Sequence, residues 1–253
     1  MNSKIANVAR NGAFGDVIAC SAVTSQLKAL GYGVVFYTSC TEVAKILDGV
    51  DVVVNISMWQ KRPEGRDINL IIYPLKDGYP KTPMKKHMTE YACENAGLPY
   101  GSSKLKSFDR IRDDEYITFQ PKTGWSTYKE YSHWDSVLDH FKHRYPIVVI
   151  DESRDWKSSC SLIQHAAIHL GHDSVGNHIA GAYGTKAVIL FGSTSPVGSG
   201  YKTATNLWKP CGIGPCYYED KFSNGIKGVC LDKCIDTIDP EDVVNAISEK
   251  LND

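Results

Sequence analysis

No stretch of this 253-residue chain is apolar over the roughly 18 to 20 residues that a bilayer-spanning helix needs. Met1 to Ala9 lacks a basic segment followed by a long apolar core, so no secretion signal is expected and the chain reads as cytoplasmic. Charge of one sign is missing too: 28 Lys and Arg face 29 Asp and Glu, a net −1 with histidine neutral. Residues 1–118 hold 15 basic and 13 acidic side chains (+2), and the remainder hold 13 and 16 (−3). This balance does not indicate a protein whose affinity rests on wrapping nucleic acid, while leaving room for a local basic patch. Internal repeats, low-complexity tracts and coiled-coil heptads are absent, which excludes solenoid and fibrous architectures. What remains is ordinary for a globular protein: 42% hydrophobic and 23% charged residues. The length suits two domains of roughly 120 residues each, or one large one.

Glycine-marked turns divide the chain into alternating strands and helices. Lys4 to Ala9 predicts a first strand, Asn11 to Asp16 a turn, and Val17 to Leu30 an amphipathic helix. Gly31-Tyr32-Gly33 stops that helix before a strand at Val34 to Tyr37. This is a βαβ unit, so its sheet is parallel and its connection right-handed. A helix near Glu42 to Leu47, strands at Asp51 to Asn55 and Leu70 to Tyr73, and a helix at Met84 to Ala96 extend it. Met58 to Asp67 is expected to be a mobile polar loop at the substrate edge or simply a solvated connection. A second unit starts with a strand at Tyr116 to Gln120, then a helix at Tyr131 to Phe141, a strand at Pro146 to Ile150 and a helical stretch at Ser158 to Leu170. Asp239-Pro240-Glu241-Asp242 caps a last helix, Val243 to Leu251, with proline early and acids in the first turn.

One stretch organises the rest. From His172-Asp173-Ser174-Val175-Gly176-Asn177-His178 a short helix of small residues runs to Tyr183, and an apolar run, Ala187 to Phe191, follows the turn at Gly184. The run is too short for a helix and reads as a buried parallel strand. Free backbone N–H groups at the helix start would suit a diphosphate. The strand ends in Gly192-Ser193-Thr194, a second small polar turn on the sheet edge where ligands of open α/β sheets bind. The bland alternative is a pair of sheet-edge turns without a ligand.

The order Asp-Ser-x-x-x-His-Ile-Ala-x-Ala-x-Gly-Thr, then an apolar strand and Phe-Gly-Ser-Thr-x-Pro, resembles the donor-site signature of glycosyltransferase family 9, the heptosyltransferase-like group. That family usually reads Asp-Ser-Gly-Pro-x-His; here the glycine, Gly176, stands one place later. The similarity covers most of the chain, strongest at 5–30 and 165–245 and weakest between 55 and 115. It implies an α/β, GT-B-like fold of two Rossmann-like doubly wound domains facing across a cleft: 1–115 on the acceptor side and 116–253 for the nucleotide sugar. The chain is short for that family, an argument for an unusual acceptor.

The resemblance also assigns roles. Asp16, in Gly15-Asp16-Val17, matches the family's general base for an inverting displacement at the anomeric carbon, where a helix-capping aspartate is the plain alternative. Lys129, ahead of Trp134, matches a lysine that touches the donor diphosphate; Lys122 is the alternative in the same loop. Asp173, Ser174, Gly176, Asn177, His178, Gly192, Ser193 and Thr194 are the expected donor-binding residues, and Asp151 and Glu152 could reach ribose hydroxyls. Lys85, Lys86 and His87, with Lys76 and Lys81, form either a solvated face or a site for an anionic acceptor, with Tyr73 and Tyr79 as stacking surfaces. Cys20, Cys40, Cys93 and Cys160 read as free packed thiols. Cys211, Cys216, Cys230 and Cys234 could instead hold a structural zinc ion or an iron–sulfur cluster, pair as disulfides, or pack as thiols. Catalysis is expected to need no cofactor.

The expected function is therefore transfer of a sugar from a nucleotide-diphosphate sugar to a lipopolysaccharide-core-type glycan, at the inner membrane face. Two others compete: a bacteriophage enzyme that glycosylates a hydroxymethylated base flipped from DNA, and a catalytically silent nucleotide- or protein-binding module.

Overall fold

The computed structural model describes residues 4–70, 72–73, 83–124, 129–211, 215 and 233–253. The chain divides into two compact units, Met1–Pro74 with Lys86–Ser107 and Leu75–Lys85 with Phe108–Asp253. Phe108 onward thus groups with the second unit, slightly before the boundary expected after residue 115.

The first unit is built on β1 (Lys4–Ala9), β2 (Tyr32–Thr38), β3 (Val52–Asn55) and β4 (Arg66–Asn69), all parallel in the order β3-β2-β1-β4. The crossover from β1 to β2 runs through α1 (Phe14–Ala19) and α2 (Ser21–Ala29). The helix expected at 17–30 therefore starts earlier and is divided at Cys20, whose thiol donates to the Asp16 carbonyl at 3.3 Å. Ala6, Val8, Val17, Ile18, Val23, Leu27, Val34 and Phe36 are fully buried between sheet and helices. Burying each larger side chain stabilises the unit by roughly 1.5–3 kcal/mol. α3 (Thr41–Ala44) and α4 (Met88–Asn95) complete it, α4 packing on α2 and starting later than expected because the His87 side chain accepts its Thr89 N–H.

Two expectations fail in this unit. The fourth strand is Arg66–Asn69, not 70–73, because Ala6 to Ala9 of β1 take Arg66 to Asn69 as register partners. Asn7 of β1 also donates to Asp67 at 2.9 Å. Its polar sequence is tolerated at an edge where only Ile68 is buried. The segment expected to be a loop is instead partly regular: a 3-10 helix, Ile56–Lys61, started by Asn55 accepting the Ser57 N–H, runs into its first residues. Trp59 of that helix packs edge-on to Tyr37 at 5.2 Å, and the Arg62 guanidinium lies 4.3 Å over its ring.

The second unit holds β5 (Ile117–Phe119), β6 (Ile147–Val149), β7 (Ile168–His172), β8 (Ala187–Phe191) and β9 (Ala204–Trp208), parallel in the order β6-β5-β7-β8-β9. Helices α5 (Trp134–Asp139), α6 (Trp156–Gln164), α7 (Val175–Tyr183), α8 (Pro196–Ser199) and α9 (Pro240–Asn252) connect and cover it. Asp239 caps α9 by accepting the Glu241 N–H at 2.9 Å, as its sequence implies. One core gathers Ile117, Phe119, Trp134, Val137, Ile168, Leu170, Val188, Leu190, Val243 and Ile247.

The helical stretch expected at 158–170 is instead α6 followed by β7. Every residue of β7 is buried, with Ile168 and Leu170 in the core and His169 bonded through Nδ1 to the Thr118 hydroxyl at 3.1 Å. Histidine and glycine disguise this strand, since burial on both faces removes the alternation that marks a half-exposed one. α7 ends on Gly184, whose φ of +73° is the left-handed cap that glycine adopts most readily. Among the described residues no helix is long and apolar enough to cross a membrane.

Candidate active site

In open α/β sheets a ligand crevice forms at the carboxyl ends of the strands, where the strand order reverses. In the first unit that point lies between β1 and β4, and it holds Asp16. Asp16 sits in the first turn of α1 and caps nothing with its side chain. Instead Oδ2 accepts from Arg10 Nη2 at 2.7 Å, and Oδ1 accepts from the Tyr73 hydroxyl at 2.8 Å. The Arg10 guanidinium also lies 5.2 Å from the centre of the Tyr73 ring. A carboxylate held this way keeps further lone pairs for a hydroxyl, with its orientation set from two sides.

In the second unit the reversal lies between β5 and β7. Asp173 follows β7, and its Oδ2 takes the Lys129 ammonium at 3.0 Å while Oδ1 accepts from the Ser199 hydroxyl at 2.7 Å. Both members of the ion pair are buried, with side chains 11% and 9% exposed. Burial works against ionisation of Asp173, but Lys129, His178 and the Ser199 hydroxyl outweigh it and hold the carboxyl down at about 2. Lys129 is thus the lysine brought into the site, and Lys122 is exposed.

The start of α7 differs from the expectation of free N–H groups. Gly176 N–H donates to Gln120 Oε1 at 2.8 Å, and Asn177 N–H turns back to the Ser174 carbonyl at 3.1 Å. Gln120 Nε2 in turn reaches the Ser174 hydroxyl at 3.3 Å. Gly176 is required by this close approach: a Cβ there would lie 2.5 Å from His169 Nε2 and 2.6 Å from Gln120 Oε1. The displaced glycine of the motif therefore serves the packing of β5 and β7 against α7. The polar atoms left without partners near this turn are on side chains instead. Ser193 Oγ, Thr194 Oγ1, Asn177 Oδ1 and His172 Nδ1 are buried without a hydrogen-bond partner among the described residues. Thr194 also lies near enough to Asp173 to favour its ionised form without completing a hydrogen bond.

The other expected residues are placed as follows. His178 Nδ1 meets the Tyr201 hydroxyl at 3.0 Å, and Asn177 Nδ2 donates to the Ser199 carbonyl at 2.8 Å, so both brace the segment that carries Ser199. The Gly192 carbonyl accepts from Trp208 Nε1 at 3.2 Å. Asp151 and Glu152 are exposed, and Asp151 accepts from its neighbour Ser153. Lys86 pairs with Glu94 of α4, His87 caps that helix, and Lys85 groups with the second unit. Lys76, Lys81 and Tyr79 lie outside the described residues, as do Cys216 and Cys230. Cys211 is half-buried and Cys234 buried; among the described residues no group of three or more side chains could hold a metal ion. Cys20, Cys93 and Cys160 are buried free thiols, with Cys40 partly exposed.

Sequence reasoning gave no role to His172, which ends β7 and accepts both the Tyr131 backbone N–H at 2.9 Å and the Trp134 indole N–H at 2.8 Å on Nε2. Burial pushes its pKa down to about 3, so the ring is neutral. Only its place beside Asp173 could have drawn attention to it.

Two parallel sheets in these strand orders, each flanked by helices, are an α/β architecture that matches the GT-B fold. Solved structures agree. TibC, an iron-containing dodecameric glycosyltransferase from enterotoxigenic E. coli H10407, is 16% identical with a TM-score of 0.74, over 99% of this chain and 76% of that one. The family 9 glycosyl transferase from Veillonella parvula DSM 2008 is 14% identical with a TM-score of 0.72, over 98% and 97%. E. coli ADP-heptose lipopolysaccharide heptosyltransferase II is also 14% identical, with a TM-score of 0.72 over 98% of both chains. No protein-family model matches the sequence, and no curated protein does.

Proposed function

We propose that this chain moves a sugar from a nucleotide-diphosphate sugar to an acceptor hydroxyl with inversion at the anomeric carbon. The observation that carries this reading is the buried set at the strand-order reversal of the second sheet. Lys129, paired there with Asp173, supplies a positive charge, and Ser193 presents an unpartnered buried hydroxyl, with Thr194 beside Asp173. Such a set suits a leaving diphosphate, whose charge grows as its bond to the sugar breaks. In the step, the acceptor oxygen bonds to the anomeric carbon while the bond from that carbon to the diphosphate oxygen breaks. The nucleoside diphosphate leaves with the electron pair, and Asp16, oriented by Arg10 and Tyr73, takes the acceptor proton.

TibC has been solved with ADP-D-β-D-heptose, and E. coli heptosyltransferase WaaC with ADP, which supports an adenine nucleotide donor for this chain. The acceptor proposed with it is a lipopolysaccharide-core-type glycan. Thermal unfolding with ADP, GDP, UDP and TDP tests the donor. A ligand at a hundred times its Kd stabilises the fold by roughly 2.7 kcal/mol, and ADP is expected to give that shift. No shift with any of the four would sink the reading in favour of a non-catalytic module. Labelled sugar appearing in hydroxymethylated duplex DNA, rather than in core oligosaccharide, would replace the glycan acceptor.

A further inference from the structure

We infer that His172 is a positioning residue that sets Lys129 against Asp173, by anchoring the lysine-bearing segment to the end of β7 through two N–H donors on one ring nitrogen. For nucleotide binding this rests on the reading of Lys129 as a diphosphate ligand. Tyr131 is two residues beyond Lys129, and its backbone N–H lies 2.9 Å from His172 Nε2. The Trp134 indole N–H, at the start of α5, reaches the same atom at 2.8 Å. An atom that accepts two N–H bonds carries no hydrogen, so the ring proton is on Nδ1, and only the neutral imidazole can serve. His172 is 1% exposed, in keeping with a ring that stays neutral.

The charged and titratable groups that bear on the ring are Lys129, Asp173, His169 and Lys233. The far side of the segment is held separately: the Tyr131 hydroxyl donates to the Ile238 carbonyl at 2.8 Å, and Ser132 bonds the Asp236 carboxylate through its N–H and hydroxyl. Removing the histidine anchor therefore leaves the segment attached. It releases the end nearest Lys129.

The test compares His172→Gln with His172→Asn. Glutamine carries an amide oxygen about as far out as Nε2, whereas asparagine stops one bond short. In ligand-free protein, brief treatment with acetic anhydride followed by mass spectrometry reads the exposure of the Lys129 amine. His172→Asn is expected to raise Lys129 labelling several-fold over wild type, with Lys142 and Lys250 unchanged, and His172→Gln to stay near wild type. Equal labelling of Lys129 in both variants, whether high or low, would overturn the inference. In titrations with ADP and AMP, His172→Asn is expected to weaken ADP about tenfold and spare AMP, the size of one buried polar anchor. It should add nothing further to Lys129→Ala, because both act through one amine. Additive losses would assign His172 to packing alone. Should wild type bind no nucleotide, the donor reading fails, and the labelling still decides the positioning role.

Discussion

Lys129 and Asp173, 44 residues apart in sequence, form a buried ion pair with Nζ 3.0 Å from Oδ2. Breaking such a pair by removing one partner leaves an uncompensated charge in a poorly solvated place, at a cost of about 3–5 kcal/mol. Lys129→Met and Asp173→Asn should each lower stability by that order in urea unfolding, and the double variant should recover part of it. Single variants indistinguishable from wild type would mean that solvent screens the pair.

Asp16→Asn keeps the size of the side chain and removes its ability to take a proton. Sugar transfer should fall by roughly 10²–10⁴-fold, the usual range for a general base. ADP binding should be unchanged, since the nucleotide site proposed above is built from residues of the second unit. Turnover at the wild-type rate would remove Asp16 from the mechanism.

Two buried neutral histidines make the fold acid-sensitive. Burial lowers His169 and His172 to about 3 from the ordinary 6.5. Between those values the unfolded chain binds protons that the native state does not, so stability falls as pH drops below 6.5. Each histidine contributes a slope of about 1.4 kcal/mol per pH unit in that window. Urea unfolding at pH 7 and pH 5 should show this loss, and His172→Gln should reduce the slope by one histidine's share. Asp173 acts lower: its depressed carboxyl contributes stability above the unfolded value near 3.9, lost as pH falls toward about 2. An unchanged slope in His172→Gln would show that His172 protonates as readily in the folded chain as in the unfolded one.

Gly176→Ala should destabilise by about 1–3 kcal/mol, the usual penalty for overpacking, because its Cβ meets His169 and Gln120. Gly181→Ala faces a Tyr201 ring carbon at 2.2 Å and should lower the melting temperature as well. Gly124→Ala, whose Cβ would meet nothing within 4 Å among the described residues, is the control. A Gly176→Ala protein as stable as that control would show that the start of α7 relaxes freely.

Much of this architecture can be read along the chain. The β1 turn with Asp16, the α7 motif with Asp173 and the α9 cap at Asp239 are local: a glycine turn, a cap or a short apolar run acts over a few residues. The strand Ile168–His172 escaped because histidine and glycine hide a segment buried on both faces, and the strand Arg66–Asn69 because an edge tolerates polar residues. The motif ahead of Trp134 favours Lys129 over Lys122, and burial beside Asp173 agrees with that choice.

Residue order was thus enough for most of the alternation of strand and helix, though not for β4 and β7, and for the identity of the charged side chains, since these depend on neighbours close in sequence. The partners of those side chains depend on which distant segments become adjacent strands. Tyr73 reaches Asp16 because β4 lies beside β1, and Gln120 reaches Gly176 because β5 lies beside β7. No local pattern encodes that adjacency, for it is selected by burial of the whole sheet.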